Sequence, residues 1–513
     1  MDLPVIPSPT RFDPGGSPFT FRTGTTVTSA AGDLAGLVER FCSDFGRRTG
    51  LRLDPGGLPA SPPGLTIELG PVEDLDALPA PAGLSPAGDD PPDERYALTV
   101  DADGIVLRAP AAVGVARGLT TLAQAGPTVA GGRVLDGPRY AWRGLSFDLA
   151  RTSFTLDEVR RVVDLLALYK LNVLHLHLTD DQAWRLPFGR GDGGALADPA
   201  FYEAADLRAL VAYAADRFVT LVPEVDTPGH ASALVTMHPE LASGRNLVSF
   251  ELVPGHEHHT VWLDPELPAT FPLIEEVLAG VADTFPGPYL HIGGDEPWGM
   301  PHDLYVPYVD RVREMVRSLG KRPLGWQESA RAGLGAGDVI QYWFTEIALP
   351  PSLPAELRAR LDADMAASRQ DIETALAASA AVIVSPLSHC YLDVPYADPP
   401  ADPAQAGLQA RLGLRVYPRK TVAASFDWEP SQVLGPDRAG RVAGVEAAVW
   451  SETITGFDDL TFLLLPRLPG IAQRAWTPTP TTWPDHRARL AHHGRLWDQD
   501  GLTWFRTSTV DWA

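Results

Sequence analysis

Cysteine is scarce: two residues, Cys42 and Cys390, in a chain of 513. That excludes a disulfide-stapled scaffold, and free buried thiols are expected. Long apolar runs are missing too. A spanning helix needs about 20 predominantly apolar residues, and no stretch comes close, so no membrane span is expected. The start, MDLPVIPSPTRF, has neither the basic nor the apolar region of a signal peptide. The expectation is a cytoplasmic protein; a leader already cut away would make it secreted. Positive charge is also short, with 42 Lys and Arg against 65 Asp and Glu, a net −23. A general phosphate-backbone binder needs a basic stripe, so nucleic acid is not an expected partner. Oligomeric state is not legible.

What is present points to a folded globular protein with a large core. Hydrophobic residues make up 45% of the chain, and no long segment is both polar and aromatic-poor. The length exceeds one small domain. The first part mixes a helical stretch, DLAGLVERFCSDFGRRTG, with short strands at 64–71, 94–100 and 104–110. Asp103-Gly104 between the last two is a hairpin signal. A helical AAVGVARGLTTLAQ follows. These elements predict a small α+β domain over residues 1–138.

From residue 139 to 513 the pattern changes. Eight short apolar runs recur, at 142–151, 172–181, 218–226, 289–296, 322–329, 338–344, 380–389 and 444–452. Helical segments such as TLDEVRRVVDLLALYK separate most of them. Strands alternating with helices argue for a parallel sheet, and eight over about 350 residues predict a (β/α)8 TIM barrel preceded by a small α+β domain. In such a barrel the chemistry gathers at the C-terminal strand ends. The sequence puts Asp148 and Arg151, Asp180 and Asp181, Glu224 and Asp226, and Asp295 and Glu296 there. Trp326, Trp343, and Trp450 with Glu452 follow on later strands.

The adjacent carboxylates of HIGGDE, Asp295 and Glu296, follow Gly293 and Gly294, which permit close backbone approach. A helix N-terminus would also favour such a pair. Neighbouring strand residues point to opposite sides, so the two could address different parts of one substrate. Glycoside hydrolysis needs an acid on the leaving oxygen and a second group to steady the cation. The three tryptophans suit an aromatic box for a sugar face, against core packing as the plainer reading. His175 and His177 share a strand face, as metal-binding HxH pairs do, which leaves open a metal-dependent amidohydrolase on the same barrel. HEHH at 256–259 reads as a solvated loop. His230, directly after the third strand, suits an orienting role beside an Asp. A carbohydrate-binding protein on an inactive barrel is the non-enzymatic alternative. The Ala-rich segment from Pro350 to Ile372 reads as a long loop, a candidate lid or oligomer contact.

The motifs FDLARTSF, LHLHLTDDQAWR, PEVDTPGH, HIGGDE, GWQES, QYW, YLD and WSE occur in that order. The chain thereby resembles the bacterial β-N-acetylhexosaminidases of glycoside hydrolase family 20, through residues of about 140 to 475. The resemblance implies an exo-acting, retaining hydrolase of terminal β-linked GlcNAc, with GalNAc a further substrate, acting on chitooligosaccharides or glycans. In such enzymes the substrate's own acetamide is the nucleophile, and no protein carboxylate plays that part. It implies that Glu296 is the general acid and base and that Asp295 orients the acetamido group. Tyr391 would bond the acetamido oxygen, with Trp326, Trp343 and Trp450 as pocket walls. Arg151, Asp393 and Glu452 would hold the sugar's outer hydroxyls, and Asp180, Asp226 and His230 would support the acid. HxH then reads as family strand chemistry, and no metal or cofactor is expected. Pro297-Trp298-Gly299-Met300 departs from the family pattern, and Trp298 is a candidate for shaping the leaving-group site.

Overall fold

The computed structural model describes residues 3–29, 31–56, 64–189, 201–253, 256–335, 337–345 and 355–513. The first part is a seven-stranded sheet. Its order is Arg11–Pro14, Gly132–Asp136, Tyr96–Asp101, Gly104–Ala109, Leu65–Leu69, Thr26–Ser29 and Asp54–Pro55. The hairpin expected at Asp103-Gly104 forms, with Asp101 paired to Gly104. Helices Ala35–Thr49 and Ala112–Ala125 bury Phe41, Phe45, Val115 and Leu119 in one core with this sheet.

The second part is a closed parallel barrel of eight strands. They are β1 (Trp142–Asp148), β2 (Val173–His177), β3 (Thr220–Glu224), β4 (Tyr289–His291), β5 (Arg322–Trp326), β6 (Val339–Tyr342), β7 (Ala381–Val384) and β8 (Val442–Val449). Each lies within one of the eight apolar runs, except that β8 begins two residues earlier. The helix after β1, α1 (Leu156–Leu168), starts on a capping box: Thr155 and Glu158 satisfy each other's backbone N–H. Its Val159, Val162, Val163 and Leu166 pack onto the outside of the barrel.

Inside, the barrel is layered. Trp142, Val173, Val222, Tyr289, Leu324, Val339 and Ile383 form an apolar plug at the N-terminal end. Above it the inward positions turn polar: Ser146, His175, His177, Glu224, His291, Gln341 and Glu446 are all buried. Such a core departs from the bulky apolar filling usual in these barrels.

Two segments differ from expectation. Ala355–Ala377 is a helix, α2, not a long loop. Its Ala, Leu, Arg, Glu and Gln residues have high helix propensity. Ser368 ties it down, donating to the Phe344 carbonyl and accepting from Gln327 Nε2, each at 2.6 Å. Residues 346–354 lie outside the described residues. The backbone of HEHH forms a strand, His256–Val261, paired antiparallel with Leu247–Val253, where a loop was expected. The HEHH side chains lie outside the described residues. Cys42 and Cys390 are both buried and unpaired. Among the described residues no helix is long and apolar enough to cross a membrane.

Candidate active site

The strand ends converge on one pit. Arg151, three residues past Asp148, places Nη1 3.4 Å from Asp148 Oδ2 and Nη2 2.7 Å from Asp180 Oδ2. Asp180, beyond β2, also pairs with His177 Nε2 at 2.9 Å and with His230 Nδ1 at 3.2 Å. His230, beyond β3, turns its other nitrogen to the next strand end. Its Nε2 lies 3.7 Å from both Asp295 Oδ2 and Glu296 Oε2. Asp181 does other work: it accepts from the backbone and hydroxyl of Ser232 and anchors the short helix Ser232–Met237.

Strand β4 stops at His291, so Asp295 and Glu296 do not alternate along a strand as the sequence suggested. They sit in a loop bent by Gly293 (φ +68) and Gly294 (φ +99). A Cβ on Gly293 would stand 1.6 Å from Asp226 Oδ1, so only glycine fits. Gly294 donates its N–H to the same oxygen at 3.2 Å, and Tyr305 donates its hydroxyl to the Gly294 carbonyl at 2.7 Å. Glu296 itself has φ 42, and His230 has φ 50. A non-glycine residue there costs roughly 1–3 kcal/mol, and such strain clusters at functional sites. The left-handed turn at Glu296 separates the two carboxylates; strand pleating does not.

Their environments differ. Glu296 keeps 35% of its side chain open, against 14% for Asp295. Burial and the Asp295 charge together raise Glu296 to about 7, against the opposing pull of His230 and Arg151. Burial also raises Asp295 and Asp226, the latter further because it faces Asp295. Asp180 is held well below the carboxylate range: burial works against this, but Arg151, His230 and His177 outweigh it. His230 is raised well above the usual imidazole range, with Asp180 and Asp226 overcoming burial. The site thus pairs a protonatable acid with a neighbouring carboxylate and a fixed imidazolium.

The aromatic residues stand beside this pair. Trp343 stacks parallel to Tyr391 with centroids 6.0 Å apart, and Trp450 meets Tyr391 at 6.0 Å and Trp326 at 5.9 Å. Trp326 Nε1 donates to Glu224 Oε1 at 2.7 Å, and Trp343 Nε1 donates to Glu328 Oε2 at 3.2 Å, which fixes both indoles. Burial raises the Tyr391 phenol well above its usual range, so it remains a donor. Asp393 is buried and accepts the Trp450 N–H at 3.4 Å, leaving Oδ2 without a partner. Glu452 is exposed at the rim. Two residues escaped the sequence reading. Glu328 lies inside the quoted GWQES, where only its tryptophan was read. Tyr417, from the segment between β7 and β8, sits 6.3 Å from Tyr391 and feels Asp393, Glu452 and Glu296; nothing local marked it.

Among the described residues, three groups bring His and carboxylate donors within 4.8 Å of one another: His175, Glu224 and His291; His177, Glu224 and Asp226; and Asp180, Asp226 and His230. One nitrogen of several of these imidazoles is engaged, while His175 Nε2, His291 Nε2, His230 Nε2 and Asp226 Oδ2 have no hydrogen-bond partner. His291 Nδ1 takes the Gly293 N–H at 3.0 Å, His177 Nδ1 pairs with Glu224 at 2.6 Å, and His230 Nδ1 pairs with Asp180.

Comparison with known proteins agrees with this chemistry. Residues 140–479 match the catalytic domain of glycosyl hydrolase family 20, and residues 2–136 match domain 2 of the same family. A β-N-acetylhexosaminidase of Cellulomonas fimi is 35% identical over 540 residues, covering 100% of this chain and 97% of that protein. A mutant Streptomyces plicatus β-hexosaminidase in complex with the product GlcNAc superposes with a TM-score of 0.82 at 30% identity, covering 100% of this chain and 98% of that one. A family 20 β-N-acetylhexosaminidase of Streptomyces coelicolor A3(2) gives 0.79 at 30% identity, covering 100% and 99%.

Proposed function

The chain belongs to glycosyl hydrolase family 20, and from that premise we infer that it is an exo-acting β-N-acetylhexosaminidase. It removes terminal non-reducing β-linked GlcNAc with retention, the substrate's acetamide acting as nucleophile. The acetamido oxygen attacks the anomeric carbon while Glu296 gives its proton to the leaving oxygen. The resulting oxazolinium ion is opened by water, whose proton returns to Glu296. Asp295 accepts the acetamido N–H and balances the charge developing on it. Tyr391 donates to the acetamido oxygen, within walls formed by Trp326, Trp343 and Trp450. Arg151, Asp393 and Glu452 take the outer hydroxyls, and carboxylates at that end favour an unextended terminal sugar.

One observation carries this reading. His230 Nε2 lies 3.7 Å from both members of the Asp295–Glu296 pair, and burial with Asp295 brings Glu296 to about 7. An acid protonated at neutral pH beside an ionised orienting group is what substrate assistance requires. The natural substrates we propose are small chitooligosaccharides and glycan ends. Rates on aryl β-GlcNAc, β-GalNAc and β-glucoside test the reading. Turnover of the acetamido sugars with the glucoside left intact is expected. Equal rates on the glucoside would sink it, since glucose has no acetamide.

A further inference from the structure

Charged side chains that the reaction above leaves unused fill the barrel axis above the apolar plug. They form one line. Glu446 on β8 accepts Trp142 Nε1 at 2.7 Å, Gln341 Nε2 at 3.0 Å and His175 Nδ1 at 2.9 Å. Gly144 opposite makes the room: a Cβ there would meet Glu446 Oε2 at 2.4 Å. His175 Nε2 lies 3.1 Å from Glu224 Oε2, an ion contact off the hydrogen-bond axis. Glu224 Oε2 accepts His177 Nδ1 at 2.6 Å, and His177 Nε2 donates to Asp180 Oδ2 at 2.9 Å. Carboxylate and imidazole alternate over five residues, each 0–1% exposed.

Burying so many ionisable groups costs several kcal/mol per ion unless each is paired. A plug of apolar side chains would be simpler, so the line calls for a reason. Its upper end supplies one. His177 and Arg151 both occupy Asp180 Oδ2, which leaves Oδ1 aimed at His230. We propose that Glu446, His175, Glu224 and His177 are positioning residues for the hydrolysis. Their ordered line fixes the rotamer and charge of Asp180, and through it the placement of His230 against Asp295 and Glu296. His177 is kept charged against burial by Glu224 and Asp180, and His175 is raised to about 9 by Glu224 and Glu446. His291, the third imidazole on Glu224, is lowered to about 4 by burial and stays neutral, accepting the Gly293 N–H. Around the acid pair itself stand His230, Arg151, Asp226, Glu328, Glu452 and Tyr417.

The inference rests on the roles given above to Asp295 and Glu296. Its test is the pH profile of kcat/KM on p-nitrophenyl β-GlcNAc for His177→Gln and Glu446→Gln, with thermal unfolding measured in parallel. His177→Gln removes a cation that favours ionised Asp295, so the acid limb moves to higher pH by roughly half a unit to one unit. Glu446→Gln keeps one of the two acceptor oxygens, enough for either Trp142 or Gln341, and removes an anion, so the limb moves by less and to lower pH. Opposite shifts support the line. Unmoved profiles, whatever the loss of rate or Tm, would reduce it to a structural role and overturn the proposal, as would shifts in the same direction. If His177→Gln does not fold, the direction seen with Glu446→Gln decides. No turnover by the unaltered protein would instead sink the assignment of Asp295 and Glu296.

Discussion

At the scale of the residue, the account hangs on two neighbouring carboxylates with different tasks. Glu296 must hold a proton to start the reaction and lose it to finish. With its pKa raised to about 7, kcat/KM falls as pH rises through about 7, because the protonated acid disappears. A pH–rate profile checks the position of that limb. Glu296→Gln cannot donate, and a drop of roughly 10²–10⁴-fold on chitobiose is expected. The drop is smaller on a p-nitrophenyl glycoside, whose leaving group needs less protonation. Equal drops on both substrates would argue that Glu296 does something other than protonate. Tyr391→Phe removes one donor from the acetamido oxygen, and a roughly 10- to 100-fold fall in kcat is expected with the protein still folded.

At the scale of the element, glycines and inward-facing polar positions set the site. Gly293→Ala would drive a methyl into Asp226 Oδ1 in a left-handed backbone, with nowhere to retreat. Near-complete loss of activity with modest loss of Tm is the expected outcome, read by kinetics and thermal melting. Ser368→Ala cuts α2 from Gln327 and Phe344 and costs about 1 kcal/mol in a denaturant titration. Much of this scale was legible in the sequence. The eight apolar runs marked the strands, and strand ends rich in Asp, Glu and Trp marked the pit. Glu446 was not legible, because one acid within GVEAAVWSE looks like an interruption until the barrel closes and points it inward. Nor was the helicity of α2, where Ala-rich composition without a clear apolar stripe reads as loop. Asp295 and Glu296 were found by motif, but their separation was not: it comes from a left-handed turn that periodicity does not encode.

At the scale of the whole molecule, the sheet and barrel are joined through charges. Asp136, at the end of the sheet strand Gly132–Asp136, accepts from Lys170 Nζ at 2.8 Å, Tyr96 at 2.7 Å and Trp476 Nε1 at 2.9 Å. Lys170 lies just before β2, and Trp476 belongs to the helix Leu468–Trp476 packed on the barrel. Glu94 likewise bridges Arg117 of the first part and Arg143 of β1 at 2.8 and 2.7 Å. Asp136→Ala would strand a buried ammonium, at a cost of about 3–5 kcal/mol. Calorimetry should show one unfolding transition moved down as a unit; two separate transitions would mean that the parts fold independently.

The central claim is that the substrate supplies the nucleophile, and inhibition by a GlcNAc-derived thiazoline tests it most directly. The thiazoline copies the oxazolinium ion between Asp295 and Tyr391. Competitive inhibition with Ki orders of magnitude below the KM for p-nitrophenyl β-GlcNAc is predicted. Brisk turnover of that glycoside with no inhibition by the thiazoline would contradict the account and point to a nucleophile belonging to the protein.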